Sequence, residues 1–362
     1  MTRRIVGVMT GSSIDGFDAA LVEVEGVALD ARPRLIRHHA EPLGPIAADL
    51  RAAADQRPMP AGWFARLANA FGARHVEVIE RVLAGEPAPD LIAVHGQTVY
   101  HDPPDSWQLV SPAPIGARFG CRVIHDLRQA DLAAGGRGAP ITPLADWLLY
   151  RTECSRAVVN LGGFANVTIL PPKDHPDPLP AIAGFDVCAC NHVLDGLARA
   201  CLDRPYDADG VVASTGVVRD DVAGSLRDAL REQTRAGRAL GTGDELAAWV
   251  RRHAGGSAAA DLCATAVAAI AEVVAETVNT HDVADVVVAG GGTRNRTLLG
   301  SLGRGLEPRV VALGAGGIPP EAREAAAMAV LGGLSADGVP ITLPAVTGRR
   351  ATTPRVTADV TS

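Results

Sequence analysis

The chain has 362 residues, 47% of them apolar and 21% charged, with a formal net charge of −7. This is the composition of a soluble globular protein, and the acidic balance argues against nucleic acid as a partner. The length favours two domains; no apolar run reaches the roughly 20 residues of a membrane helix, and the short Met-Thr-Arg-Arg start is no signal peptide, so a cytoplasmic protein with no membrane partner is expected.

Strands are predicted over 4–9 and 17–25 by alternation and β-branching. They flank the turn in "GVMTGSSIDGFDAAL" (7–21), which carries Thr10, Gly11, Ser12, Ser13 and Asp15. Two readings of that turn compete: an ordinary polar hairpin, or a backbone cradle for phosphate. A third strand is expected over 33–40 and helices over 45–56 and 62–84. In the second helix Phe64, Leu67, Phe71, Val76, Ile79 and Leu83 recur at near-helical spacing. "DLIAVHG" (90–96) reads as a buried strand ending in polar residues. A strand at 107–110, a helix near 112–119 and a strand at 121–125 follow.

A second cycle opens with a helix at 141–151 and the strand-turn-strand "RAVVNLGGFANVTIL" (156–170). Lys173, the sole lysine, falls in the Pro-rich insertion "PPKDHPDPLP". There is therefore no Walker-A lysine, no protein-kinase strand lysine and no buried Schiff-base lysine. A strand is expected at 181–185, then helices at about 191–202, 217–236, 243–253 and 258–279. "DVVVAGGG" (285–292) is another strand running into glycines, followed by a helix, a strand (309–313) and a helix (320–334). The tail "RRATTPRVTADVTS" has little to bury and is expected to be loose. The six cysteines, Cys121, Cys154, Cys188, Cys190, Cys201 and Cys263, lack zinc-ligand spacing and fit a reducing compartment. The lone Cys188-Ala189-Cys190 reads as small buried residues in a turn.

The two strand-turn-strand units open matching halves, and a late strand ends in Gly290-Gly291-Gly292. Together they resemble the α/β, two-domain actin-like ATPase and sugar-kinase superfold, ribonuclease H-like in each half. Its nucleotide lies in an interdomain cleft, where turn amides rather than a lysine hold the phosphates. The expected domains are 1–130, with the tail from about 340 returning to it, and 131–340.

The motifs are more specific than the fold. "GVMTGSSIDGFDAAL", "AVHGQTVYH", "DLRQADLAAGGRGAPITP", "VVNLGGFANVTIL", "GFDVCACNHVLD", "RPYDADG", "VVVAGGGTRNRTLL" and "PAVTG", in this order, resemble the anhydro-N-acetylmuramic acid kinases over nearly the whole chain. The resemblance implies a kinase that uses ATP and Mg²⁺. It opens a 1,6-anhydro sugar with water at C1 and phosphorylates O6, in recycling of cell-wall fragments. It suggests a homodimer.

Residue by residue, the resemblance implies Asp186 as catalytic base, although an Asp there, taken alone, caps a helix. It implies sugar contacts by His95, Gln97, Arg128, Asp131 and Glu324, the Arg suiting a carboxylate. It implies ATP contacts by Gly11, Ser12, Ser13, Ile14, Asp15, Gly16, Phe17 and Asp18 in the first turn. Asn160, Gly162, Gly163 and Asn166 form the second turn, and Gly290, Gly291, Gly292 and Asn295 the nucleotide turn. No direct metal ligand is implied.

Two departures stand out. The family's Thr-Gly-Pro-Gly after the catalytic Asp is Val187-Cys188-Ala189-Cys190 here, and its Lys-Ser-Thr-Gly-Arg-Glu string is missing from 236–250. The readings that remain are a kinase for anhydro-N-acetylmuramic acid, a kinase for another anhydro sugar such as levoglucosan, and a non-catalytic nucleotide- or sugar-binding relative.

Overall fold

In the computed structural model β1 (Thr2–Thr10) and β2 (Gly16–Glu25) form an antiparallel hairpin, in register from Thr2 opposite Glu25 to Thr10 opposite Phe17. The structure describes residues 1–11, 14–236, 246–255, 258–307, 309–311, 317–350 and 359–360. β3 (Arg32–Pro42) adds antiparallel to β2; β4 (Leu91–Val94) lies parallel to β1. β5 (Gln97–Asp102) and β6 (Asp105–Leu109) form a separate hairpin, and β7 (Arg122–Ile124) runs parallel to β4. The helices are α1 (Ile46–Ala54), α2 (Ala61–Val82), α3 (Ala113–Phe119), α4 (Gln129–Ala133) and α5 (Pro143–Tyr150). Val6, Val8, Phe17, Ala19 and Leu21 share one core with Leu50 of α1 and Phe71, Val78 and Ile79 of α2.

The next segment repeats the plan. β8 (Arg156–Leu161) and β9 (Phe164–Leu170) form a hairpin, α6 (Pro178–Ala181) follows, and β10 (Ala183–Ala189) adds antiparallel to β9. Then come α7 (Asn191–Leu202), α8 (Val211–Thr215), α9 (Asp220–Ala236), α10 (Ala247–His253) and α11 (Ala259–Asn279). β11 (Asp285–Ala289) runs parallel to β8, α12 (Arg296–Gly305) follows, and β12 (Arg309–Val311) runs parallel to β11. The chain ends with α13 (Arg323–Ala336), α14 (Pro344–Thr347) and β13 (Asp359–Val360), the last paired with β7.

The strand orders are β13-β7-β4-β1-β2-β3 and β10-β9-β8-β11-β12. Without the edge strand β13, both run third-second-first-fourth-fifth. In both, the first three strands are antiparallel neighbours and the last two are parallel to the first. The duplication read from two hairpins therefore extends to whole sheets.

By packing, the chain divides into Met1–Tyr150 with Gly316–Ser362, and Arg151–Ala315. The divisions fall there rather than near 130 and 340, because α13 covers the face of β1 away from α2. A Cβ on Gly7 would lie 2.1 Å from Ala325 O, and one on Gly333 would lie 2.9 Å from Ile5 Cδ1. Arg323, at the start of α13, forms a buried ion pair with Asp146 of α5, at 2.8 and 2.5 Å. Residues 131–150 and 317–340 thus pack with the first sheet.

Several expectations shift locally. The helix expected over 217–236 is α9, which starts at Asp220; the unforeseen α8 ends before it at Gly216, which sits so close to α11 that a Cβ would be 2.0 Å from Ala260 O. The strand expected at 181–185 is displaced by α6 and runs to Ala189. The tail is tied at its start, with Arg350 N donating to Ala134 O at 3.1 Å. Ser12, Ser13 and residues 237–245 lie outside the described residues.

Candidate active site

In the first unit the expected residues join through one chain of hydrogen bonds. The turn after β1 is held to the loop after β4: Thr10 Oγ1 donates to Gly96 O (3.2 Å) and Gln97 Nε2 to Gly11 O (3.3 Å). Ile14 adopts a left-handed φ of 52°, unusual for a β-branched residue. It is held there by its N–H on Gly11 O and by Arg51 donating to its carbonyl. Ile14 and Phe17 are buried, and Phe17 stacks on Phe71, so both side chains belong to the core. Asp15 is exposed and Asp18 partly so, the latter 3.1 Å from His38 Nε2. Gly16 passes close beneath Glu41 O.

His95 donates from Nδ1 to Gly96 O (2.9 Å), and its Nε2 accepts from Arg128 Nε (3.0 Å). Burial first, then the Arg128 charge, lowers its pKa to about 3. It is a neutral imidazole with both nitrogens engaged. Arg128 also donates to Gly138 O at 2.6 Å. Asp131 is buried, and its carboxylate accepts from Gly138 N (2.8 Å) and Thr347 Oγ1 (2.6 Å). His95 and Asp131 thus brace Arg128 and its loop. Gln97 is fully buried, and its Oε1 has no hydrogen-bond partner among the described residues. Glu324 is half-buried in the first turn of α13, beside the Arg323–Asp146 pair.

In the second unit, register aligns the residues. Asn160 lies opposite Asn166, and Asn166 opposite Asp186, so the three side chains form a row on one face of the sheet. Asp186 is inside β10, where a register shift follows it, and not at a strand end as expected. It does not cap α7, whose N-cap is Cys190. The altered Val187–Cys190 stretch keeps a defined path. Cys190 N and His192 N donate to Gly163 O, and Asn191 N donates to Gly162 O, so the start of α7 clamps the second turn. Burial raises the thiol pKa of Cys188, and pushes that of Cys190 up to about 12, so both are inert core groups.

The three glycines after β11 divide their work. Gly290, at φ 87°, and Gly292 pack on β8: a Cβ on either would lie within 3 Å of Leu161 O. Gly291 has nothing within 4 Å of such a Cβ. Asn295 caps α12, its Oδ1 accepting from Leu298 N at 3.0 Å. A cavity of about 320 Å³ is lined by His192 and Gly196 of α7 with Val250 and Arg251 of α10. None of Asn160, Asn166 or Asp186 lines it, so no substrate group is assigned to it.

The sequence reading missed Asp146, Arg323 and Thr347. Only Thr347 lay in a noted motif, "PAVTG"; the ion pair is set by helix packing between residues far apart in the chain. Among the described residues no helix is long and apolar enough to cross a membrane.

Two sheets of one topology, each with a turn between its first two strands, define a protein of the actin-like ATPase and sugar-kinase superfold. The family model described as anhydro-N-acetylmuramic acid kinase matches residues 3–356. The chain is 33% identical to the anhydro-N-acetylmuramic acid kinase of Salinibacter ruber, over 97% of this chain and 95% of that one. It is 36% identical to that of a Synechococcus species, over 95% and 96%. The chain belongs to the anhydro-N-acetylmuramic acid kinase family.

Proposed function

We propose that this protein is an ATP-dependent kinase for 1,6-anhydro-N-acetylmuramic acid. Water opens the anhydro ring at C1 while O6 receives the γ-phosphoryl, giving N-acetylmuramic acid 6-phosphate in cell-wall recycling. The observation that carries this reading is the row Asn160–Asn166–Asp186 beside the Gly162–Gly163 turn, in a chain of this family.

Asp186 takes the proton of the attacking water, as a glycosidase carboxylate does. Backbone amides of the first turn, which opens at Gly11, and of Gly162–Gly163 serve to neutralise charge on the transferring phosphoryl. Gly291, open to its surroundings, leaves room for the adenosine. Arg128 binds the lactyl carboxylate, held in place by His95 and by the loop that Asp131 braces. Gln97 Oε1 and Glu324 accept from sugar hydroxyls.

The residues present fit Mg²⁺. The ion takes one or two carboxylates plus phosphates and water rather than an all-protein cage. Asp18 is partly exposed, and no three-carboxylate cluster occurs among the described residues. Asp18 would hold its hydration shell; when bound, the ion supplies charge neutralisation at the phosphates. Residence in the cytoplasm, supported by six free thiols, and a homodimer complete the proposal.

A coupled ADP-release assay with anhydro-N-acetylmuramic acid, its uncharged N-acetylglucosamine counterpart and levoglucosan tests the reading. Turnover should be fastest with the first, and the reaction in ¹⁸O-water should label C1. Absence of ADP release with every anhydro sugar would overturn it; faster turnover of levoglucosan would reassign the substrate.

A further inference from the structure

The β5–β6 hairpin carries polar chemistry that the reading above leaves unused. Thr98 pairs with Gln108 and His101 with Ser106, with a register shift between Thr98 and Tyr100 that brings these four side chains to one face. Ser106 is the hub. Its hydroxyl donates to Tyr100 O (3.2 Å), and its oxygen lies 2.8 Å from both His101 Nδ1 and Gln108 Nε2. A serine hydroxyl has one proton to give. With that proton spent on Tyr100, both neighbours must donate to the oxygen.

The consequence falls on the far side of each neighbour. His101 is fixed as the Nδ1–H tautomer, leaving a bare lone pair on Nε2. Gln108 presents its amide nitrogen to Ser106, leaving Oε1 turned away. Both outer atoms are buried and have no hydrogen-bond partner among the described residues. Gln108 is only 2% exposed. A buried acceptor without a donor is costly, and two of them on one saturated serine are unusual. Burial and the nearby Arg128 charge lower the His101 pKa, so the ring stays an acceptor. Gln129, next in chain to Arg128, donates to Ser106 O at 2.7 Å, which ties the hairpin to the carboxylate-binding loop.

We propose that His101 and Gln108 are specificity-determining residues that accept from neighbouring N–H and O–H donors of the sugar while Arg128 holds its carboxylate. This inference rests on the kinase reading above. Two lone pairs repel carboxylate and phosphate oxygens, so this edge excludes the anionic groups and orients the substrate. An acetamido N–H beside a ring hydroxyl meets the need; an ether or ester edge does not.

The test uses Gln108→Met, which removes the acceptor at similar volume, and Gln108→Glu, which keeps one once the Ser106 hydroxyl turns its proton from Tyr100 O to the carboxylate. Sugar affinity is measured by calorimetry and KM, alongside KM for ATP and the melting temperature. The expected result is a sugar affinity about 10- to 100-fold weaker in the Met variant, substantially recovered in the Glu variant, with KM for ATP unchanged. The 4-deoxy and N-methylacetamido analogues locate the donor. One of them should bind more weakly to the wild type yet lose nothing further in Gln108→Met. Equal sugar affinity in wild type and Met variant would overturn the proposal, as would equal analogue penalties in both; a lowered melting temperature with unchanged sugar affinity would make the pair purely structural. A wild type that binds the sugar without turning it over would fail the kinase reading and leave this test intact.

Discussion

Arg128 Nε donates to His95 Nε2 at 3.0 Å, a bond between two nitrogens that exists only while the imidazole is neutral. The Gly96 carbonyl fixes the tautomer by accepting from Nδ1–H, and burial keeps the ring neutral. The histidine therefore acts through the arginine. His95→Phe should raise KM for a carboxylated anhydro sugar about 10-fold or more, the scale of a lost charge-assisted hydrogen bond. His95→Gln, which keeps an acceptor near the Nε2 position, should recover most of it. An equal loss on levoglucosan would show that His95 supports something other than Arg128.

Two buried histidines should make the fold sensitive to acid. Burial lowers His95 to about 3 and His75 to about 4, from an ordinary value of 6.5. Between those values the unfolded chain binds protons that the folded chain refuses, so stability rises with pH. This contribution is complete above about pH 6.5 and is lost as pH falls towards 4 and then 3. The limiting slope is about 1.4 kcal/mol per pH unit for each histidine. Urea midpoints from pH 7 to 4 measure it, and His75→Phe should reduce the slope. A flat profile would contradict the assignment.

Asp186→Asn should lower kcat at least about 10²-fold while sugar and ATP affinity hold. Because Cys190, not Asp186, caps α7, the change should also leave the melting temperature nearly unaltered. Full activity in this variant would move the base elsewhere, with Glu324 next in line.

The glycines after β11 should separate. Gly290→Ala forces a Cβ to 2.5 Å from Asn160 Oδ1 at a positive φ, and should destabilise by about 1–3 kcal/mol. Gly291→Ala meets nothing and should stay within about 0.5 kcal/mol of the parent. If the adenosine lies over Gly291, that variant should still raise KM for ATP and not for sugar. Thermal melts beside the two KM values decide it.

Arg323→Met would leave the Asp146 carboxylate buried without its cation, which costs about 3–5 kcal/mol. The pair is buried on both sides, and Arg323 gains proton affinity from Asp146 despite the opposing effect of burial. The double variant Arg323→Met with Asp146→Leu should regain most of the loss. Denaturant unfolding of the parent, the single variant and the double variant checks the recovery.

The hairpins of both sheets were legible because β1–β2 and β8–β9 alternate clearly and their turns are rich in Gly, Ser and Asn. The segments that the family motifs bring forward in the first unit, the turn, the 95–97 loop and the 128–138 loop, do meet. What spacing did not reveal is which atoms are already taken. Asp131 reads as a free carboxylate in "DLRQAD" but is consumed by Gly138 and Thr347, the latter far along the chain. Asn295 reads as a nucleotide contact, and spacing alone does not reveal that its oxygen also caps α12. The β5 strand escaped because Gln97-Thr98-Val99-Tyr100-His101 has no apolar alternation; its pairing with β6 defines it. Helix α13 is expected in the domain of residues 131–340 but packs on the first sheet, since only tertiary contact shows that Gly7 is its seat.

The seat at Gly7 also sets an order of manufacture. β1 leaves the ribosome ahead of residues 151–315, and the backbone of Ala325 and Ala329 that covers it is made only after them. A sheet awaiting so distant a cover cannot close early, since long-range contacts form late. The later half of the chain therefore has every strand of its own sheet synthesised before the earlier half can be completed, and the amino-terminal strands wait with one apolar face bare.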